Sequence, residues 1–304
     1  MSLKSELYRD MSFSSDVKKE LCTIEHSSDC CQRAEAYGIL YYGRAFGKEE
    51  ISLTTDYDYV AERYIRAINY LSTYTPEMIV SKSGKITINV DSYEARMEIL
   101  NELGYSGNER AMRLLTTNIE NECCFGAFIR GVFLACGIIT DPKIEYHLEF
   151  DVSFRTKSRD LIDIFEDFPV TPKQSDRNGV NIVYFKDSSQ IEDILTVMGA
   201  QMSVMELIGE KILKDVRNNV NRKVNCDSAN LRKTALAAAT QTEAIEKLKS
   251  QGKFDDLPTD LKELAQLRVD NPEMTLAELG ASLSKPLSRS GVNHKLKKLT
   301  DMTK

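Results

Sequence analysis

The period of the apolar positions changes along the chain, and the same succession of periods occurs twice. Residues 33–104 give a helical pattern (RAEAYGILYYGRAFG), a strand (ISLTT), a second helix, a hairpin of two short strands and a third helix. Residues 123–199 give the same order, from the helical stretch CCFGAFIRGVFLACG to the helical stretch SQIEDILTVMG. Gly43 and Gly137, which close the two first helices, lie 94 residues apart. The pattern predicts an α+β fold of two αββαββα repeats, in a domain at residues 11–200 that we call the body.

Glycine is frequent in the first helix of each repeat. The glycines are Gly38 and Gly43 in the first repeat and Gly126, Gly131 and Gly137 in the second. A glycine inside a helix costs about 1 kcal/mol relative to alanine. Because close approach of two helix backbones can offset that cost, we expect these two helices to pack against each other through their glycines.

The chain after the second repeat is predicted to be helical. Two long helices, at 202–216 and 228–251, flank an asparagine-rich stretch at 218–226. We interpret residues 201–256 as a helical linker.

Residues 257–304 give three short helices with the features of a helix-turn-helix domain. The second helix begins at a capping box, TLAE, and the third is basic. In the third helix Val292, Leu296 and Leu299 share one face, which we expect to be buried against the other two helices.

The opposite face of the third helix carries the candidate DNA contacts. Short polar side chains at an exposed helix start can reach base edges, and Lys and Arg side chains contact phosphates. The candidates are Arg289, Ser290, Gly291, Asn293, His294, Lys295, Lys297 and Lys298. A plain solvated amphipathic helix is the alternative, but the capped helix and the turn before it favour DNA binding.

Charge is distributed unevenly between the body and the C-terminal part. The formal net charge is −6, of which residues 201–304 carry +4 and the remainder −10. The positive charge concentrates in two stretches, 211–233 and 285–304. This asymmetry predicts that the C-terminal part binds double-stranded DNA.

The asparagine-rich stretch has two interpretations. Asparagine can hydrogen-bond adenine through both groups of its amide, but it also caps helices and forms turns. Capping or hydrogen bonding between helices therefore stays open beside nucleic-acid contact. Phosphate contact is expected from four nearby basic residues, Arg222, Lys223, Arg232 and Lys233.

Two stretches and the tail carry a resemblance to known proteins. The tandem αββαββα order resembles the LAGLIDADG homing-endonuclease fold, and AYGILYYGRAF, GAFIRGVFLACGI and the helix-turn-helix tail resemble the WhiA family of bacterial regulators. The resemblance spans nearly the whole chain from Met11. It implies a cytoplasmic, nucleoid-associated regulator of transcription with a role in cell division, chromosome segregation or sporulation.

The residues at the ends of the two glycine-rich helices argue against DNA cleavage. In homing endonucleases an acidic residue precedes the last glycine of each such helix, and the two carboxylates hold the catalytic metal ions. Here Tyr42 precedes Gly43 and Cys136 precedes Gly137, and neither offers a carboxylate. We therefore predict no catalytic residue and no enzyme activity. A residual metal-dependent nuclease would need other carboxylates, such as Glu35 or Glu122.

The strand pattern IEYHLEFD predicts how the body presents its sheet. Apolar residues alternate with Glu145, His147, Glu149 and Asp151, so one face is expected to be buried and the other to carry carboxylates into solvent. The matching strand of the first repeat presents Lys85, Thr87, Asn89 and Asp91. Such a surface is poorly suited to a polyanion. The sequence instead favours a scaffold that docks a protein partner, and a docking adaptor anchored on DNA is the third functional alternative.

The cysteines and the ends of the chain give weaker signals. Seven cysteines without a disulfide-like spacing fit a reducing compartment. The group Cys22, His26, Cys30 and Cys31 lacks the paired spacing of structural zinc sites, so we expect structural thiols, no metal and no cofactor. No apolar run has the length of a membrane helix. Residues 1–10 are expected to be a leader without a structural role.

Overall fold

The computed structural model describes residues 12–166, 168–177 and 179–303. The predicted leader, residues 1–10, lies outside this range. The chain divides into two compact units, one ending at Lys214 and the other beginning at Asp215. Each unit is described by itself.

The first unit contains the helices and strands of the predicted repeats. Its helices are α1 (Phe13–Cys22), α2 (Asp29–Tyr41), α3 (Asp58–Leu71), α4 (Tyr93–Glu102), α5 (Glu122–Cys136), α6 (Arg155–Glu166) and α7 (Ser188–Met198). Its strands are β1 (Ala45–Phe46), β2 (Ile51–Thr55), β3 (Met78–Val80), β4 (Ile86–Asn89), β5 (Gly137–Ile139), β6 (Leu148–Val152), β7 (Lys173–Arg177) and β8 (Val180–Phe185). The order is αββαββα from α2 to α4 and again from α5 to α7, so the predicted tandem repeat is confirmed.

Each repeat forms its own four-stranded antiparallel sheet within the described residues. The strand orders are β1-β2-β4-β3 and β5-β6-β8-β7, the same order in each repeat. Leu53 faces Ile88 across the first sheet, and Phe150 faces Val183 across the second. These four side chains are buried, because period-two alternation turns the apolar residues of each strand toward the helices.

One strand of the second repeat begins later than predicted. The pattern IEYHLEFD suggests a strand from Ile144, but β6 begins at Leu148, and Ile144 is 76% exposed. The physical reason is a turn headed by Asp141, whose backbone carbonyl accepts hydrogen bonds from the N–H groups of Ile144 and Glu145. Pro142, which has no N–H to donate to a sheet, follows Asp141 in this turn.

The two glycine-rich helices, α2 and α5, pack against each other through their glycines, as predicted. A Cβ atom added to Gly38 would lie under 3.0 Å from the backbone oxygen of Phe128, and one added to Gly131 equally close to the backbone oxygen of Glu35. Real Cβ atoms essentially never come so close. The backbones of α2 and α5 can therefore approach this closely only with glycine at these positions.

The second unit includes most of an unusually long helix. The sequence predicts two helices around an asparagine-rich stretch, but α8 is one helix over Gln201–Ser250. Asparagine costs less than about 0.7 kcal/mol relative to alanine in a helix, and this segment contains no proline, so nothing in it stops the helix. The capping interpretation of these asparagines is therefore wrong, because they lie inside the helix.

Three short helices follow α8, as predicted for a helix-turn-helix. They are α9 (Thr259–Asp270), α10 (Leu276–Ala281) and α11 (Arg289–Asp301). The predicted capping box between Thr275 and Glu278 forms at the start of α10. The predicted stripe of Val292, Leu296 and Leu299 is buried in a separate apolar core, together with residues from α9, α10 and the end of α8.

Candidate nucleic-acid interface

Helix α11 presents most of the predicted DNA contacts to solvent. Its first turn is capped by the Ser288 hydroxyl, which accepts a hydrogen bond from the N–H of Gly291 over 3.3 Å. The exposed candidates are Arg289, Ser290, Asn293, His294, Lys297 and Lys298. Gly291 and Lys295 are partly buried, and the Lys295 ammonium is paired with the carboxylate of Asp260. Lys295 is therefore partly neutralised, whereas the other basic candidates on this helix present their charge to solvent.

A groove of about 690 Å³ is lined by side chains from α8, α9, the start of α10 and the start of α11. We call it the basic groove. Its lining residues are Asn230, Lys233, Thr234, Ala237, Ala238, Gln241, Arg268, Thr275, Leu276, Ala277, Arg289 and Asn293. Three of them are cationic, and none of these lining residues is acidic. The groove thus combines cations with amide groups, which is the chemistry that contacts phosphates and base edges.

The basic groove brings together two candidate regions that are distant in sequence, the asparagine-rich part of α8 and the start of α11. Lys233, from the asparagine-rich part of α8, and Asn293, from α11, both line the basic groove. Asn230 lines it as well, and its amide donates to the Cys226 sulfur over 3.6 Å. Helix α8 and the three helices that follow it therefore present one continuous polar surface.

Arg268 is a residue of this groove that sequence reasoning missed. It is 1% exposed, and its Nη1 donates to the backbone oxygens of Pro272 and Met274, over 3.3 and 2.8 Å. Burial lowers the pKa of its guanidinium, which nevertheless stays charged because the pKa of arginine is so high. The sequence contains a signal of its burial. Arg268 lies seven residues after Leu261, in the apolar stripe of α9, where an arginine is unexpected.

The continuity of α8 extends this polar surface beyond the groove. Residues spaced by three or four share one face of a helix. Asn219, Arg222, Cys226, Asn230 and Lys233 follow that spacing, so they form one exposed stripe that ends in the basic groove. Two further candidates of α8, Lys223 and Arg232, are also exposed, but Arg232 lies about 100° around the helix from Lys233.

The resemblance places Tyr42 and Cys136 at the positions that hold metal ions in homing endonucleases, and neither residue is a carboxylate. The Tyr42 hydroxyl is buried and donates to the backbone oxygen of Lys157 over 3.0 Å. The Cys136 thiol donates within its own helix, to the backbone oxygen of Val132 over 3.4 Å. Neither group can replace a carboxylate ligand.

Two buried ammonium groups lie near these positions. Burial lowers the pKa of Lys18 to about 8, against the opposing effect of the Cys136 thiol. Burial also lowers the pKa of Lys157 to about 8, and its ammonium contacts the backbone oxygen of Tyr41. A region that already holds two lysine side chains is electrostatically unfavourable for two divalent cations.

Glu35, one of the two carboxylates considered for a residual nuclease, is committed to a buried ion cluster. Its oxygens lie 2.5 Å from the Nε of Arg63 and 2.5 Å from the Nε of Arg130, and His26 Nε2 is 3.1 Å away. The other carboxylate, Glu122, is exposed at the first residue of α5. It therefore lies roughly 20 Å along the helix from Cys136 at the last residue.

The acidic strand of the second sheet differs from its predicted role. Glu149 was expected to face solvent, but it is 8% exposed. Its carboxylate lies 2.8 Å from Nε2 of His147 and 3.8 Å from a guanidinium nitrogen of Arg177, at the end of β7. The expectation of an open row of carboxylates is wrong at this position, because the neighbouring side chains cover and pair Glu149.

Comparison with known proteins identifies the family. The model of the WhiA LAGLIDADG-like domain matches residues 125–217, and that of the WhiA C-terminal HTH domain matches residues 220–303. A protein from Ruminiclostridium cellulolyticum, named probable cell division protein WhiA, is 36% identical over 96% of this chain and 97% of its own. The chain belongs to the WhiA family. A WhiA relative from Alkaliphilus metalliredigens with the same name is 33% identical over 95% of this chain and 96% of its own.

The WhiA fold extends over nearly the whole chain. The crystal structure of full-length WhiA from Thermotoga maritima matches with a TM-score of 0.58 and 25% identity, covering 96% of this chain and 97% of that one. The resemblance to WhiA inferred from the sequence is thereby confirmed. Among the described residues, no helix is both long enough and apolar enough to cross a membrane.

Proposed function

We propose that this WhiA-family chain is a DNA-binding transcriptional regulator that acts on chromosomal DNA in cell division, chromosome segregation or sporulation. The basic groove carries this proposal, because it brings Lys233, Arg268 and Arg289 together with the amides of Asn230 and Asn293. The names of the relatives support the link to cell division. The net charge of +4 on residues 201–304 supports assigning DNA binding to the C-terminal part.

The contacts divide into two kinds by chemistry. Lysine and arginine side chains bind phosphates whatever the base sequence, whereas Asn293 and His294, near the start of α11, can reach base edges. We therefore assign affinity to Lys233, Arg289, Lys297 and Lys298, with additional phosphate contact along α8 from Arg222 and Lys223. Sequence discrimination is assigned to the start of α11.

Alanine at both Lys297 and Lys298 is expected to weaken binding to all DNA sequences alike. Each DNA phosphate that a lysine no longer neutralises reduces the slope of log K against log salt by about 0.9, so the slope should fall by roughly 2. Asn293→Ala should instead reduce the discrimination between specific and random DNA by roughly 1–3 kcal/mol. Gel-shift titrations of the full chain at several salt concentrations measure both effects.

A matched control removes the same charge from the body. Lys48 and Lys82 are exposed lysines of the first repeat, and changing both to alanine should leave affinity and salt slope nearly unchanged. A decrease equal to that of the α11 variant would assign DNA binding to the body and contradict the proposal.

We further propose that the body does not cleave DNA. Glu35 is neutralised by two arginines, and Tyr42 and Cys136 stand where carboxylates are needed. Plasmid DNA incubated with the full chain and Mg²⁺ or Mn²⁺ should remain supercoiled. Nicking that is abolished both by EDTA and by Glu122→Gln would restore the nuclease alternative.

A second function, docking of a protein partner by the body, is favoured by one observation. Strand β3 (Met78–Val80) lies at the edge of the first sheet, and all three of its residues are exposed. Edge strands present unpaired backbone groups that can pair with another chain. This role is compatible with DNA binding by the C-terminal part.

A further inference from the structure

Four cysteine side chains from the two repeats meet at the starts of α2 and α5. The Sγ atoms of Cys30, Cys31, Cys123 and Cys124 all lie within 4.8 Å of one another. Those of Cys30 and Cys123 are 3.7 Å apart. Within the part of the chain that the structure describes, no other group of three or more metal-binding side chains converges in this way. We call this group the thiol cluster.

The thiol cluster is not the grouping that the sequence spacing suggests. Cys30 and Cys31 are close in sequence to Cys22 and His26, but His26 belongs to the ion cluster around Glu35. Their spatial partners come instead from the second repeat. The sequence predicts structural thiols without a metal from the spacing within one segment, and such spacing cannot detect a pairing between the repeats.

The repeat itself explains why the four thiols converge. Cys30 and Cys123 are the second residues of α2 and α5, each preceded by an acidic residue and followed by another cysteine. They lie 93 residues apart, the same separation as Gly38 and Gly131 at the close contact of the two helices. The glycine contact therefore fixes the two cysteine pairs opposite each other.

We propose that the thiol cluster is a structural zinc site that joins the two repeats. Zinc binds four thiolates tetrahedrally at about 2.3 Å, which places neighbouring sulfurs about 3.8 Å apart. The separation of 3.7 Å between Cys30 and Cys123 matches that edge, and the other sulfurs need shift by no more than about 1 Å.

Metal binding at this position must displace protons, because hydrogen bonding to Cys31 raises the pKa of Cys123 and burial raises the pKa of Cys124. Two features of the fold favour negative charge on the bound sulfurs. The starts of two helices converge on the cluster, and unpaired N–H groups at a helix start stabilise negative charge. Neither Ser28 nor Asn121, the residues before the two helices, caps its helix with its side chain. The Ser28 hydroxyl lies 3.1 Å from the Cys30 sulfur instead, so it can act as a donor to a thiolate.

The cluster is also open to an ion from solution. Cys31 and Cys124 are buried, whereas Cys123 is exposed and Cys30 is half-buried. The two buried sulfurs are held in place by the surrounding protein. The two accessible sulfurs allow an ion to enter from solution, and together the four sulfurs complete a four-coordinate shell. Binding would cross-link helices of both repeats and stabilise the folded body.

Zinc analysis of the full chain tests the proposal. After chelator treatment under reducing conditions, incubation with zinc and removal of excess metal, mass spectrometry of the metal should find about one zinc per chain. Cobalt in place of zinc should give the intense visible and near-ultraviolet bands of tetrahedral thiolate coordination. Zinc should also raise the melting temperature of the body by several degrees.

Single-cysteine variants locate the ion. Cys30→Ser and Cys123→Ser should lose most of the bound zinc and the tetrahedral cobalt spectrum, whereas Cys226→Ser, which changes an exposed thiol of α8, should keep both. Circular dichroism checks that each variant is folded. The proposal would be overturned if the wild-type chain took up no zinc or if the Cys30 variant retained it. A Cys30–Cys123 disulfide in the reduced preparation would also overturn it.

Discussion

Glu35→Ala is expected to lower the free energy of unfolding of the body by about 3–5 kcal/mol, because it leaves two buried guanidinium groups without their counter-ion. Arg63 is 5% exposed and Arg130 is 7% exposed. Arg130 also donates to the backbone oxygen of Met198 over 2.9 Å, so the cluster links α2, α3 and α5 to the end of α7. Removal of one carboxylate should therefore weaken packing in both repeats.

Urea unfolding followed by tyrosine fluorescence measures this effect. Twelve of the 13 tyrosines lie in the body, Tyr8 precedes it, and the chain has no tryptophan, so the change in emission on unfolding reports on the body. Glu102→Ala is the matched control, since Glu102 pairs with Arg33 at the surface and should cost at most about 1 kcal/mol. An effect of Glu35→Ala no larger than that of the control would contradict the role of the buried cluster.

The acid stability of the body gives an independent readout of the same variant. Burial alone would raise the pKa of the Glu35 carboxyl, but hydrogen bonds with His26 and Arg63 and the charge of Arg130 lower it to about 2. A carboxyl with a lowered pKa stabilises the fold above its unfolded pKa, and that stability is lost as the pH falls toward the folded value. The wild-type body should thus lose stability between about pH 4.5 and pH 2, and Glu35→Ala should flatten this decline.

Charge reversal in the basic groove is expected to have the largest effect on function. Lys233→Glu combined with Arg289→Glu should weaken binding to specific and random DNA by about 100-fold or more, because like charges brought together at an interface cost several kcal/mol. The two changes lie on α8 and α11, so the effect tests whether both helices contact the same DNA molecule. Fluorescence anisotropy with labelled duplexes at fixed salt measures it.

The control carries the same change of net charge elsewhere in the second unit. Arg217 and Lys253 are exposed and do not line the groove, and Arg217 lies on the far side of α8 from Lys233. Arg217→Glu combined with Lys253→Glu should reduce the affinity for DNA far less, because it changes only the long-range electrostatic potential of the protein. Equal reductions for the two double variants would mean that net charge, and not the groove, sets the affinity.

The architecture was largely predictable because it depends on local periodicity. The glycines of α2 and α5, the alternation in β4 and the capping box at Thr275 are encoded within a few residues each. The late start of β6 was not predictable from alternation alone, since a turn at Asp141 overrides the pattern. The continuity of α8 was not predicted, because asparagine often caps helices and forms turns, although its cost inside a helix is small.

The candidate sites were predictable only where one segment contains them. The exposed face of α11 follows from helical angles, and its buried stripe was assigned correctly. The contribution of Arg268, the pairing of Glu149 with Arg177 and the thiol cluster all depend on residues that are distant in sequence. Such contacts are fixed by tertiary packing, to which a pattern within one segment has no access.

The close contact between α2 and α5 also affects how the body folds during synthesis. Gly38 leaves the ribosome 93 residues before Gly131, and at about 5–20 residues per second that separation corresponds to a delay of roughly 5–20 s. During this interval the apolar face of α2 has no partner helix to cover it. The nascent first repeat therefore exposes a surface of the kind that chaperones bind, and it becomes fully protected only when the second repeat emerges.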